Sequence, residues 1–338
     1  MVRPTALRVI DFGSVTPLRS QTLWHAVADG VSEGAPPTLS FARPSAAYVS
    51  TGYLRAIDEV DRTYCRRAGL PVFRRMVGGG PVYLDRHQLF FQLTVPAAWI
   101  RGPRVDALRR FLAPAVAAFR AVGIPAELDA AGEIVVGDAK ICGHGAGQVG
   151  EAVLVVGNLI ERFDYRRAAR ILRAPDPEAR RLVEALMRRF IRATPADAER
   201  FKQAARAAYG AALGLSPKAG CLTPGERRRL GELDRTFETE AWRRGPGGVA
   251  SPIWRVKIRA GVLVGAVEIG EARLTAAVVH DRLVSLRIAD GGPGGDTSAL
   301  EAATLGLTLS EAAARLSSAG ATGRRAAAAL AAFGRVRV

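Results

Sequence analysis

A chain of 338 residues, 49% of them hydrophobic, can bury one large core or two moderate ones. No apolar run approaches a membrane span and Met1–Arg19 lacks an export-signal layout. Three widely spaced cysteines (Cys65, Cys142, Cys221) make no disulfide framework, so a soluble, cytoplasmic protein is expected. The net charge of +16, from 48 basic and 32 acidic residues, favours acidic partners. Aromatics reach only 7% and no basic stripe is interleaved with them, so a nucleic-acid stacking platform is not expected.

In chain order, Gln21–Asp29 reads as a helix and Gly34–Pro37 as a turn. Thr38–Ala42 and Ala46–Ser50 read as strands, with Gly52 ending the second. Arg55–Ala68 has helical spacing through Ile57, Val60, Tyr64 and Cys65. Pro71–Phe73, Pro81–Leu84 and Gln88–Val95 are strand-like, and the glycines between the first two predict a strand–turn–strand hairpin. Pro103–Val122 carries a helical apolar stripe despite Pro114. Ile134–Val136 and Ala152–Val156 read as strands around a glycine-rich segment.

Glu178–Arg192 is amphipathic, with Leu182, Leu186 and Phe190 on its apolar side. The window from Arg162 to Arg206 holds thirteen basic and six acidic residues, which fits a solvated face or a docking surface for an acidic protein. A boundary falls near Leu215–Cys221, after which Thr223, Pro224 and Glu226 announce a helix through a capping box. That helix is expected to end before a Gly245–Gly248 loop. Ile253–Arg259, Val262–Ile269, Ala272–Val279 and Arg282–Ile288 are four strand-like runs. Gly291–Gly295 is expected to be a loop. Thr308–Glu311 offers a second capping box, and helices follow at Ala312–Ser317 and from Gly323.

Two stretches carry chemistry. Arg74 and Arg75 precede Gly78, Gly79 and Gly80, with Val82 and Asp85 completing the string RRxxGGGxVxxD. Glycines without Cβ let backbone lie against a ligand, and paired arginines offer forked donors to a carboxylate or phosphate. Lys140 opens KICGHGAG, and a half-buried lysine calls for an anion. An ammonium placed beside the glycines could hold an α-phosphate and an acyl carbonyl together, stabilising charge that develops during attack. An edge-strand lysine in solvent is the plainer reading. Cys142 and His144, two apart in an extended segment, would share a face and permit a thiol–imidazole pair. A small buried cysteine serves equally well.

The string resembles the signature of the lipoate–protein ligase family, which shares its fold with the biotin ligases, and Lys140 and Gly143 match that family's K-x-x-G segment. Leu39–Asp61, with Gly52, looks like the family's N-terminal strand pair. Glu240, Trp242 and the four-strand run look, more loosely, like its accessory domain. The resemblance implies an α/β (α+β) mixed-sheet fold, with a catalytic domain over residues 1–215 and an accessory domain over 221–338. It implies ATP-dependent conversion of lipoate to lipoyl-AMP, then transfer to a lysine of an acidic lipoyl carrier domain. Lys140 would be catalytic. Arg74, Arg75, Gly78, Gly79, Gly80, Val82, Asp85 and Gly143 would surround the adenylate, and Glu133 would hold magnesium.

Departures from the family pattern are Gly132-Glu133 in place of Asn-Asp, Gly150-Glu151-Ala152 in place of His-Gly-Thr, and His87 in place of glycine. An octanoyltransferase of the same fold would need a cysteine within Pro125–Gly132, and none is there; Cys142 lies on the wrong side of Lys140. The GRGRxxR-type loop of biotin ligases is missing. A non-catalytic basic binding module is the alternative of a different class.

Overall fold

The computed structural model describes residues 4–53, 57–245, 253–269, 272–289 and 297–335. The chain divides into two compact units, one of residues 1–171 and 192–248, the other of 172–191 and 249–338. The division falls well past the boundary expected near 215–221. The capped helix after that boundary packs inside the first unit, and the amphipathic helix around residue 180 belongs to the second.

The first unit opens with β1 (Ala6–Val15) and α1 (Arg19–Ser32), then β2 (Thr38–Pro44) and β3 (Tyr48–Thr51). Next come α2 (Arg62–Arg67), β4 (Val72–Arg74), β5 (Val82–Leu84), β6 (Gln88–Pro96) and α3 (Arg104–Ala121). The expected helix over 55–68 is thus shorter: Asp61 interrupts it and caps α2, its carboxylate accepting from the Tyr64 N–H. A hairpin of β7 (Glu127–Leu128) and β8 (Ile134–Val136) follows, then β9 (Ala139–Lys140), β10 (Gly145–Val149), β11 (Ala152–Ile160) and α4 (Tyr165–Arg170). After α5 (Pro177–Phe190), part of the second unit, the chain returns as α6 (Ala198–Leu213), β12 (Ser216–Ala219), α7 (Pro224–Glu238) and α8 (Glu240–Arg244).

The main sheet runs β10-β11-β6-β2-β1-β12, with β1 parallel to β2 and to β12 and the other pairs antiparallel. Side chains alternate across each strand. Leu39 and Phe41 of β2, with Leu89, Phe91 and Leu93 of β6, enter the core that contains Phe119 of α3 and Phe201 of α6. Phe201 centres that core, 4.9 Å from Phe119 and 5.8 Å from Phe91 between ring centroids. The alternate residues Thr38, Ser40, Gln92 and Thr94 are buried polar side chains, and Gln92 donates to the Trp24 carbonyl of α1. Cys65 is buried, as its helical spacing implies.

On α1, His25 is 1% exposed, lies beside Trp24 and Phe237, and neither ring nitrogen has a hydrogen-bond partner. Burial drives its pKa down to about 3, with the charge of Arg229 adding to the effect. The unfolded chain therefore binds a proton below about 6.5 that the folded chain refuses. Stability from neutral His25 is fully present above pH 6.5 and is lost as pH falls toward 3, at up to about 1.4 kcal/mol per pH unit. His25→Phe should flatten this acid limb in urea titrations at pH 4–7. An unchanged slope would show that His25 is not its source.

The second unit sets β13 (Ile253–Arg259), β14 (Val262–Ile269), β15 (Ala272–Val279) and β16 (Arg282–Ala289) as an antiparallel meander, as the four apolar runs predict. A short α9 (Ser298–Ala302), not among the expected helices, precedes α10 (Leu309–Ser317) and α11 (Gly320–Arg335). Leu316, Leu330 and Phe333 pack on Leu274, Ala276 and Leu286. Of the expected loops Gly245–Gly248 and Gly291–Gly295, Gly245 closes α8 and the other residues lie outside the described ones.

Candidate active site

The triple glycine is not a hairpin turn. Strand order is β4-β3-β5: β4 runs parallel to β3, β5 antiparallel, and the two flanking strands never pair with each other. Residues 75–81 therefore cross over the end of β3. At the crossing Gly52 meets the loop backbone so closely that a Cβ there would sit 2.1 Å from the Gly79 carbonyl oxygen. Gly79 itself has φ +99°, a conformation that L side chains rarely adopt. Gly52→Ala is expected to destabilise the first unit by about 1–3 kcal/mol through overpacking. A thermal melt indistinguishable from the parent protein would refute this contact. Gly78 and Gly80 face open space, so their backbone is accessible.

Both arginines depart from the expected role. Arg74 is wholly buried; it donates to the carbonyls of Gly52 (3.0 Å), Tyr53 (2.6 Å), Arg243 (3.3 Å) and Arg244 (2.7 Å). Its own carbonyl accepts from Trp242 Nε1 at 2.9 Å. Arg75 donates to the carbonyls of Ser50, Gly78 and Gly80, with every guanidinium nitrogen engaged. Burial lowers its pKa to about 10, so it remains charged at neutral pH. The forks thus close on main-chain carbonyls instead of facing a ligand. Arg75 shapes the glycine loop, and Arg74 joins the segment after β3 to α8. Asp85 is a turn residue: its carboxylate accepts from the His87 N–H at 2.9 Å ahead of β6. Val82 is 39% exposed on β5.

Lys140 and Glu133 come together. Lys140 sits on β9, paired with Val135 of β8, and its Nζ lies 2.7 Å from Glu133 Oε1. Their side chains are 18% and 7% exposed. Glu133 is held by the turn before it, where Asp129 Oδ1 accepts the Glu133 N–H at 2.8 Å and the Asp129 N–H donates to the Glu133 carbonyl. An ammonium has three N–H donors, so Lys140 can keep Glu133 and still donate to substrate oxygens.

Cys142 is fully buried, its sulfur accepting the Asn158 N–H at 3.3 Å, and burial pushes its thiol up to about 12. No thiolate nucleophile exists there at neutral pH. Residues 141–144 lie between β9 and β10 and not within a strand, so strand alternation does not set Cys142 and His144 on one face. His144 is driven down to about 4, first by burial and then by the charge of Lys140, so it is neutral.

A buried relay connects the two motifs. The Gly143 N–H donates to Asn158 Oδ1 (2.7 Å), Asn158 Nδ2 to Gln88 Oε1 (2.8 Å), and Gln88 Nε2 to the Tyr83 carbonyl of β5 (3.3 Å). Gly147 of β10 adds a second link, since a Cβ there would lie 2.8 Å from Val77, directly before the glycines. Asn158 and Gln88 belong to no motif expected from the sequence. Asn158 is a polar residue inside the apolar run VLVVGNLI, and Gln88 opens the run QLFFQLTV. Asn158→Leu leaves buried partners unpaired, and a loss of roughly 1–3 kcal/mol in urea denaturation is expected. Unchanged stability would dismiss the relay as a support.

Among the described residues no cluster of three or more His, Cys, Asp or Glu side chains could hold a metal. A magnesium carried in with nucleotide needs only one or two carboxylates beside phosphate oxygens, and Glu133 fits that limited part.

Residues 17–204 match the family model of the lipoyl protein ligase A/B catalytic domain. The chain is 33% identical to lipoate–protein ligase 1 of Staphylococcus aureus over 108 residues, 32% of each protein. It is 33% identical over 88 residues to lipoate-protein ligase LplJ of Bacillus subtilis, 26% of each. The matched segments thus span about a third or less of these curated relatives. In fold it resembles the bipartite lipoate protein ligase of Thermoplasma acidophilum, described with its E2 lipoyl domain (TM-score 0.64, 22% identity, 71% of this chain and 97% of that one). It also resembles lipoate-protein ligase A bound with ATP (TM-score 0.61, 21% identity, 71% and 99%).

Proposed function

The chain belongs to the lipoyl protein ligase A/B family, and we propose that it is an ATP-dependent lipoate–protein ligase, the first unit being catalytic and the second accessory. The observation that carries this reading is the half-buried Lys140 ammonium on Glu133, next to a K-x-x-G segment tied by Asn158 and Gln88 to the strand leaving the triple glycine.

In the first half-reaction the lipoate carboxylate attacks the α-phosphorus of ATP and pyrophosphate leaves. In the second, a carrier lysine amine attacks the lipoyl carbonyl and AMP leaves. Both steps build negative charge on oxygens around one centre, and the Lys140 ammonium is suited to stabilise it. The open backbone of Gly78, Gly79 and Gly80, with Val82 and Gly143, would line the adenylate. Arg74, Arg75 and Asp85 would support that wall from behind. Magnesium, when bound, would neutralise triphosphate charge, with Glu133 as its protein carboxylate.

The buried, protonated thiol of Cys142 argues against a cysteine-dependent acyltransferase. Among the described residues no helix is long and apolar enough to cross a membrane. All three cysteines are free, in keeping with a cytoplasmic, reducing setting.

The test is lipoate-dependent exchange of labelled pyrophosphate into ATP without carrier protein. Exchange that requires lipoate and Lys140 supports the ligase. Its absence, alongside octanoyl transfer without ATP, would make the chain an acyltransferase; binding of polyanions with neither activity would make it a basic binding module.

A further inference from the structure

We infer that the exposed arginine face of α2 and α4 docks the acyl-accepting carrier protein, and that it recognises an acidic surface on that partner. This rests on the ligase reading above. The two short helices lie side by side. The Asp61 N–H donates to the Ile171 carbonyl at 2.7 Å, and the Arg170 guanidinium stands 5.1 Å over the Tyr64 ring.

Their acids are consumed locally. Asp61 and Asp164 cap α2 and α4 by accepting the Tyr64 and Arg167 N–H groups. Arg66, Arg67, Arg162 and Arg166 are exposed and take part in no ion pair among the described residues. Arg66 and Arg67 also favour the C-terminal end of α2, a helix-dipole effect that explains two of the four. Arg162 and Arg166, at the start of α4, have no such use.

The face adjoins the candidate site. Helix α4 packs against β5, the strand that leaves the triple glycine, and there Tyr83 is flanked by exposed Val82. A carrier seated there would meet a basic rim and an apolar spot beside the glycine loop, a composition typical of protein interfaces. RNA is a poorer fit. Phe163 and Tyr165 pack edge-on against each other and Tyr64 lies beneath Arg170, so no aromatic face is offered for stacking.

The experiment compares the parent protein with a triple variant, Arg66→Glu, Arg67→Glu and Arg166→Glu, in two assays. The first is carrier-free pyrophosphate exchange; the second is transfer of lipoate to an isolated E2 lipoyl domain of net negative charge. The expected result is unchanged exchange and a carrier KM raised roughly tenfold or more, because charge reversal at a rim removes steering. The parent's carrier KM should also rise with salt between 50 and 300 mM, on the order of a Debye-length effect, and the variant's should not. The matching Arg→Gln triple variant should lie between the two and guards against a helix-dipole artefact. Unchanged carrier KM with exchange intact overturns the docking face alone. No exchange in the parent protein overturns the ligase reading and the docking face with it. RNA binding lost in the triple variant, with carrier KM unmoved, would reassign the face to a polyanion.

Discussion

Replacing Lys140 with alanine is expected to cut lipoate-dependent pyrophosphate exchange by roughly a hundredfold, about 3 kcal/mol of transition-state stabilisation. The figure is that of losing one preorganised donor aimed at developing charge. Lys140 is preorganised in this sense: β9 fixes its backbone against Val135, and Glu133 fixes its ammonium at 2.7 Å. Truncation also strands a carboxylate that is only 7% exposed, so some stability will be lost with the activity. The two effects separate when the urea midpoint of Lys140→Ala is measured beside its exchange rate. Exchange lost at a temperature where the variant remains folded would place the ammonium in the chemistry. A folded Lys140→Ala protein that still exchanges pyrophosphate at near-parental rate would end the proposed mechanism.

The largest expected effect on stability is at Glu226, where alanine should cost about 3–5 kcal/mol, the range for breaking a buried ion pair from one side. The Glu226 side chain is fully buried and that of Arg8 is 9% exposed. Arg8 Nη1 donates to Glu226 Oε2 at 2.9 Å and Nη2 to Oε1 at 2.5 Å, while Arg8 Nε reaches Thr38 at 2.9 Å. Glu226 also accepts from the Thr223 N–H at 2.7 Å as part of the capping box. One carboxylate thus caps α7 and pins it to β1. The pair Arg8→Met/Glu226→Leu should be markedly less destabilised than Glu226→Ala, since no charge is left buried. Urea midpoints measure both. A shift below about 1 kcal/mol for the single variant would mean that water reaches Arg8 when its partner is gone.

Much of this protein is written locally. The capping boxes at Thr223–Glu226 and Thr308–Glu311 form as their spacing implies, because a side chain three residues from its partner needs no tertiary help. The meander of the second unit follows from short turns between apolar runs, and the glycine string and Lys140–Gly143 spacing led to the family that residues 17–204 match. What tertiary structure decided is where distant segments meet. β3 slips between β4 and β5, so an expected hairpin becomes a crossover. Arg74 and Arg75 find carbonyls at residues 50, 52 and 243, among others, and turn from ligand donors into supports. α7 joins the first unit through Arg8, and α5 leaves it. Asn158 and Gln88 become a relay only once β6 and β11 pair. The physical reason is common to all four. Caps, turns and periodicity are set by neighbours a few residues away, whereas a buried polar group takes whichever partner the folded backbone brings within hydrogen-bonding reach.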